Sequence, residues 1–309
     1  MTKEKLNFNN KRRFFMIKNL DSHLNIQLFG KIKLCIKIKK YFKYEPAAYY
    51  GLNSERRMPQ LIVSLTSYPE RIQTVCKPIN TLLRQSVKPD RLILWLAEEE
   101  FSDKEAELPS SLLSLKDLGL EIKWCKDLKS YKKLIPALYE FPNDIIVTAD
   151  DDIYYQKDWL ESLYNAYLKD PNKIYTKRAD YISVNDNDIN IYGHVANNRY
   201  ISSYGNKMLG GAGTLYPPKT LYKDVLDENL IKTLIPTHDD IYFWAMAVLA
   251  GTQIVLVKCK DADICQLEET RKTGLCKINN DANGNSPNQA LQKIFDRYPQ
   301  ILDLLRKKQ

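Results

Sequence analysis

The run Asp150-Asp151-Asp152 directly follows the apolar stretch Ile145-Ile146-Val147-Thr148-Ala149, and no other part of this 309-residue chain makes a stronger chemical demand. Three carboxylates at the end of a buried strand resist desolvation and repel one another unless a cation lies among them. In an open α/β sheet the carboxyl end of a strand is also where ligands bind. Aspartate oxygens suit a hard divalent cation, with the phosphate oxygens of a nucleotide completing its shell. The run therefore predicts chemistry on a phosphorylated substrate. The competing reading is a turn that caps a helix beginning near Lys157, although capping needs one aspartate and not three.

A second acidic group, His238-Asp239-Asp240, precedes an apolar helical stretch. A carboxylate in a partly apolar setting can take the proton from a hydroxyl that is becoming a nucleophile. The alternative is capping, with favourable charge at the positive end of the helix dipole. Gly210-Gly211-Ala212-Gly213 lets backbone amides approach a sugar or phosphate, or serves as a plain hairpin connection. It lacks the spacing of a dinucleotide fingerprint and falls late in the chain. Thr66, Ser67 and Tyr68 end the first apolar strand. Their hydroxyls suit ribose and uracil and the Tyr68 ring can stack on a base, while a Pro-terminated turn explains the same residues. Asp127 follows the third strand, and Lys132 and Lys133 offer cations to a diphosphate, against the plainer reading of solvated lysines. His194 and His238 receive no role.

Positioning these groups requires strands that alternate with helices. Residues 61–65, 91–96, 120–124 and 144–147 read as short apolar strands, and residues 71–84, 131–140 and 159–168 carry apolar positions at helical spacing. Further on, 181–184, 189–192 and 254–258 read as strands, 239–249 as an apolar helix, and the tail after Pro287 as an amphipathic helix. The pattern predicts an α/β fold: a mostly parallel, doubly wound sheet flanked by helices, with a more mixed second half. Residues 1–57 form a basic arm. The expected divisions of 58–309 are a nucleotide-binding half at about 58–155, an acceptor half at about 156–265 and a helical segment at about 266–309.

A strand ending in Ser/Thr near residue 66, an Asp-x-Asp at 150–152, a glycine-rich loop and a later acidic pair occur here in one order. Residues 59–260 in this respect resemble a GT-A glycosyltransferase, in particular the family-2-like bacterial enzymes that build surface polysaccharides. The resemblance implies a Rossmann-like GT-A sheet and transfer of a hexosyl or N-acetylhexosaminyl group from a nucleotide-diphosphate sugar, UDP-sugars favoured. The acceptor would be a hydroxyl of a glycan or lipid-linked glycan in capsule or lipopolysaccharide synthesis, reached with inversion. It implies Mn²⁺ or Mg²⁺ on Asp152 and Asp150, and donor binding by Thr66, Ser67, Tyr68, Asp127, Lys132, Lys133, Asp150, Asp151 and Gly211. Asp240 would be the base and Asp239 would orient acceptor or sugar. The family more often carries Glu-Asp at this last place.

Charge and composition narrow the alternatives. Residues 1–60 hold fourteen Lys/Arg and four Asp/Glu, so with +8 for the whole chain the remainder carries −2. The stretch Lys31–Lys40 interleaves apolar and basic residues, as a segment resting on anionic lipid does, or as a solvated tail or edge strand does. No nucleic-acid-binding module surrounds it. The sequence contains neither a run long enough to span a bilayer nor a secretory leader, and its six cysteines are scattered without a CxxC pair. Reduced, mostly buried thiols and a cytoplasmic protein, peripheral on the inner face of the cell membrane, are expected. Two other functions compete. A nucleotidyltransferase making activated sugars would carry a glycine-rich basic loop after the first strand, where this chain has Thr66-Ser67-Tyr68-Pro69-Glu70-Arg71. A non-catalytic glycan-binding protein would use the twenty tyrosines but not three clustered aspartates.

Overall fold

The computed structural model describes residues 50–55, 57–185, 188–192, 202–258, 264–267, 270 and 286–307. The chain divides into two compact units, Met1–Pro46 and Ala47–Gln309. Every described residue belongs to the second, so the basic arm, apart from its last few residues, and His194 lie outside the described residues.

Four parallel strands form one half of the main sheet: β1 (Leu61–Thr66), β2 (Arg91–Ala97), β3 (Leu120–Cys125) and β4 (Ile145–Thr148), in the order β3-β2-β1-β4. Both faces of these strands are covered, which explains their near-continuous apolar sequences. Leu61, Val63, Leu65, Ile145 and Val147 pack on one side with Trp159, Leu160 and Leu163 of helix Trp159–Tyr167. Ile62, Ile93, Trp95 and Ile146 face a second core built around the helix Asp239–Leu249. In the register Leu61↔Ile145 to Ser64↔Thr148, β1 runs two residues past the end of β4, which sets residues 65–71 beside the aspartate run.

The remaining strands are β5 (Ile153–Tyr155), β6 (Ile174–Thr176), β7 (Ala179–Asn185), β8 (Asp188–Tyr192), β9 (Ser202–Ser203), β10 (Asn206–Met208), β11 (Thr214–Tyr216), β12 (Ile254–Leu256) and β13 (Ile264–Gln266). The sheet continues from β4 as β11-β6-β12-β9, with β11 antiparallel to both β4 and β6. Because Thr214 pairs with Thr148, the glycine loop that feeds β11 emerges beside the turn that leaves β4. A separate antiparallel sheet β10-β7-β8 and the pair β13-β5 complete the mixed half.

Three elements differ from the expected spans. The helix predicted over 71–84 is α-helical only at Cys76–Leu82, after turns in which Val75 N–H bonds Arg71 C=O at 3.1 Å. Pro78 lacks an N–H for the carbonyl of Thr74, so a helix starting at Cys76 puts the proline harmlessly in its first turn. Ile72 and Val75 stay buried all the same. The 131–140 segment splits into a 3₁₀ turn at Lys129–Lys133 and a helix at Ile135–Glu140 that takes Pro136 in its first turn. The tail contains two helices, Pro287–Arg297 and Gln300–Lys307, separated at Tyr298-Pro299. The first opens with a capping box between Ser286 and Gln289. Cys265 is disulfide-bonded, where scattered spacing predicts reduced thiols. Pairing depends on approach in space, which separation along the chain does not report.

Candidate active site

The three aspartates leave β4 on a turn and point in different directions. The side chain of Asp150 is 30% exposed, against 6% for Asp151 and 9% for Asp152, so Asp150 presents the most accessible carboxylate. Asp151 turns inward. Its two oxygens lie 2.6 Å from Arg71 Nη1 and 2.7 Å from Ser67 Oγ. Asp152 Oδ2 lies 3.1 Å from the same guanidinium and accepts from Gln266 Nε2 at 2.9 Å. Burial pushes the Asp151 carboxyl up to about 6, with Arg71 and the Ser67 hydroxyl opposing the shift. Burial and then the charge of Asp150 raise Asp152 as well. Burial also works against the charge on Arg71, but Asp151 and Asp152 outweigh it and hold the guanidinium above its ordinary value. No hydrogen bond from these side chains to a helix N-terminus is present, and the helix Trp159–Tyr167 starts at Asp158 without a side-chain cap.

Among the described residues no group of three or more His, Cys, Asp and Glu is arranged to hold an ion by itself. Asp150 and Asp152 nonetheless fit a divalent cation shared with a substrate. They are two oxygen donors whose mutual repulsion raises Asp152, and Mg²⁺-type sites commonly use one or two carboxylates plus substrate phosphates.

Lys133 connects this turn to the second acidic group. Its backbone carbonyl accepts from Ser64 Oγ at 2.6 Å, and Trp95 Nε1 in turn donates to that hydroxyl at 3.0 Å. Its buried ammonium lies 3.1 Å from Asp150 Oδ1 and 3.0 Å from Asp239 Oδ2. Asp239 Oδ1 accepts from Ser130 Oγ at 2.7 Å, which leaves Oδ2 to the Lys133 ammonium. Asp240 Oδ1 accepts from Gly210 N–H at 2.9 Å. Burial and then the charge of Asp239 push the Asp240 carboxyl up to about 7; Lys133, Lys207 and the Gly210 amide pull the other way. Both carboxylates begin the helix Asp239–Leu249 yet bond to other elements, and the preceding His238 makes no side-chain cap. The helix itself is locked in the core, with Tyr242 and Phe243 in edge contact with Tyr131 at 5.7 and 5.4 Å.

The glycine loop is wedged between the two acidic groups. A Cβ at Gly210 would stand 2.7 Å from Asp240 Oδ1 and 2.9 Å from Lys133 Nζ, and one at Gly211 would stand 2.7 Å from Asp150 Oδ2. Gly213 has φ +102°, and a side chain there would strike the Trp159 ring at 2.4 Å. Trp159 Nε1 donates to the carbonyl of Ala212 at 2.9 Å.

The structure thus brings together Asp150, Asp152, Lys133, Asp239, Asp240, Gly210 and Gly211. Ser67 and Asp151 sit behind them in the Arg71 network. Thr66 Oγ1 donates to Trp95 C=O at 2.8 Å, and the Tyr68 ring lies 5.5 Å from the Arg71 guanidinium carbon. Lys132 points away from Lys133, 2.6 Å from Glu100 Oε2 and 3.4 Å from Asp127 Oδ1. Those residues form their own cluster at the ends of β2 and β3. Arg71, Tyr155 and Gln266 take part without having been marked by sequence reasoning. An arginine five residues past a strand was available as a signal, but nothing along the chain announces that Gln266 returns to Asp152.

No protein-family model matches the chain, and no curated protein matches it. Among solved structures, the chain is similar to residues 1–349 of S. aureus TarS at 14% identity and TM-score 0.47, covering 78% of this chain and 72% of that one. It is also similar to the mannosyltransferase PcManGT from Pyrobaculum calidifontis, whose structure is a complex with GDP-Man and Mn²⁺. There the identity is 14%, the TM-score 0.42 and the coverage 94% and 84%. At these identities each is a likeness of fold.

Proposed function

We propose that the chain is a metal-dependent glycosyltransferase that moves a sugar from a nucleotide-diphosphate donor, a UDP-sugar in the first instance, to a hydroxyl of a glycan or lipid-linked acceptor. One observation carries the reading. A carboxylate poised near neutrality, Asp240, is fixed by Gly210 next to a lysine that also touches Asp150, at the carboxyl ends of the parallel strands. A base in that range matches proton transfer at physiological pH. Asp240 takes the proton of the acceptor hydroxyl as its oxygen attacks the anomeric carbon and the bond to phosphate breaks, inverting that centre. Asp239, held by Ser130 and Lys133, orients the acceptor or sugar. Asp150 and Asp152 would hold Mn²⁺ or Mg²⁺, which supplies charge stabilisation to the leaving diphosphate. Gly211 allows the donor to approach because no side chain stands over Asp150. Thr66, Tyr68 and Asp127 line the base and ribose end, with Ser67 behind them on Asp151. Surface-polysaccharide synthesis on the inner face of the membrane, reached through the basic arm, completes the proposal.

The nucleotidyltransferase alternative is disfavoured because Ser67 and Arg71, just past β1, are spent on Asp151 and offer no phosphate loop. The test is a panel of UDP-, GDP-, CMP- and dTDP-sugars with and without Mn²⁺, read by thermal shift and donor hydrolysis. Metal-dependent stabilisation by one nucleotide series is the expected result. No response to any of them would overturn the proposal.

A further inference from the structure

The backbone amide of Asp150 donates to Tyr155 Oη at 2.7 Å, and the same hydroxyl donates to the carbonyl of Gly211 at 3.3 Å. Two peptides earlier, the amide of Gly210 donates to Asp240 Oδ1 at 2.9 Å. Four separate elements are therefore joined in series: the aspartate turn, β5, the glycine loop and the start of the helix Asp239–Leu249. The hydroxyl both accepts and donates, which only a protonated phenol can do. Burial keeps Tyr155 protonated, raising it well above its ordinary value. Its ring is fixed independently, buried at 4.4 Å from the Trp159 ring, whose Nε1 holds the next carbonyl of the loop, that of Ala212. No water is needed to close the connection.

We infer that Tyr155 is a positioning residue, a relay that sets the donor-side aspartate turn and the Asp240 carboxylate at one fixed separation. This rests on the glycosyltransferase reading for its catalytic meaning, but not for its geometry. Lys133 links Asp150 to the neighbouring Asp239 through side chains. The Tyr155 hydroxyl links the turn to Asp240 through the backbone and is the only part of that route that a substitution can remove without changing a carboxylate. In-line attack loses rate steeply with small misplacements of the reacting groups. A loosened relay consequently lowers turnover more than it lowers donor binding.

Tyr155→Phe removes the oxygen and keeps the ring, so the packing against Trp159 survives. In residue-resolved amide exchange, the Asp150 and Gly210 amides of this variant should both exchange at least tenfold faster than in the unaltered protein. Residues 241–248 should be unchanged. With the donor that the unaltered protein hydrolyses in Mn²⁺, kcat should fall at least tenfold while KM stays within threefold. A purely structural role would instead lower Tm, speed exchange throughout 241–248 and leave kcat unchanged well below the transition; that pattern overturns the relay. Should the variant not fold, the unaltered protein decides the matter. Adding Mn²⁺ with UDP, or with GDP where UDP does not bind, must slow exchange at Gly210 together with Asp150, and a response at Asp150 alone overturns the inference. If no nucleotide binds at all, the function proposed above fails, while the exchange comparison in the absence of ligand still decides whether the two amides open as one.

Discussion

At the level of single residues, Asp240 and Arg71 make opposite demands on their surroundings. Asp240 faces Asp239 on its own helix, Lys133 from the 3₁₀ turn, Lys207 from β10 and the Gly210 amide from the loop. With its carboxyl pushed up to about 7, it is protonated, and useless as a base, below that pH. Donor turnover should therefore fall about tenfold per unit on the acid side of 7 and level off above it. Asp240→Asn should lower kcat about 10²- to 10⁴-fold and abolish that limb of the profile. A pH–kcat series on both proteins checks this; an unchanged acid limb in the variant would assign the titration elsewhere. Arg71 has no such freedom, since it is the cation buried between Asp151 and Asp152. Arg71→Gln leaves two carboxylates uncompensated and should cost about 3–5 kcal/mol of stability by urea unfolding. Adding Asp151→Asn should recover part of the loss, because the neutral amide no longer needs the missing charge. Strictly additive losses would show that the pair does not interact.

The elements between those residues show what periodicity conveys and what it omits. Spacing alone located the strand before the aspartates and the helix after Asp239, because each buries a continuous apolar run. It did not separate Lys132 from Lys133. A 3₁₀ turn at 129–133 sends consecutive side chains about 120° apart, so one lysine meets Glu100 and Asp127 while the other meets Asp150 and Asp239. Nor did it show that the middle aspartate faces inward, because the partner that turns it, Arg71, lies 80 residues away. The glycine loop is legible as flexible but not as crowded, and the crowding yields a prediction. Gly213→Ala forces a positive φ and a collision with the Trp159 ring, so it should cost about 1–3 kcal/mol in thermal unfolding. Gly211→Ala has no positive φ to strain it, and its new methyl meets the Asp150 carboxylate first, at 2.7 Å, with Ile153 at 3.5 Å. It should therefore lower donor turnover with a smaller change in Tm than Gly213→Ala. The reverse order of Tm losses would show that the loop is held from the Asp150 side.

Across the whole molecule, the parallel half of the sheet was readable because strands covered on both faces have near-continuous apolar sequences. The second half was readable as mixed but not in its strand directions, because three-residue strands such as Thr214–Tyr216 carry no sign of direction. It is the antiparallel insertion of that strand next to β4 that brings the glycine loop to the aspartates. Charge is distributed as unevenly as strand direction. The whole positive excess lies in residues 1–60 and the remainder carries −2, so the arm is where a net attraction to an anionic surface is expected. Among the described residues no helix is long and apolar enough to cross a membrane. Each basic residue near an anionic bilayer contributes about 1 kcal/mol, and a Debye length of about 8 Å at physiological salt shortens to about 3 Å at 1 M. The full chain should therefore sediment with phosphatidylglycerol vesicles at 0.15 M salt, stay in solution with phosphatidylcholine vesicles, and be released by 1 M salt. Equal binding to both lipids would replace the electrostatic account with an apolar one resting on the alternation in Lys31–Lys40. No binding to either would detach the arm from the membrane altogether and leave its charge to be matched with an acidic acceptor.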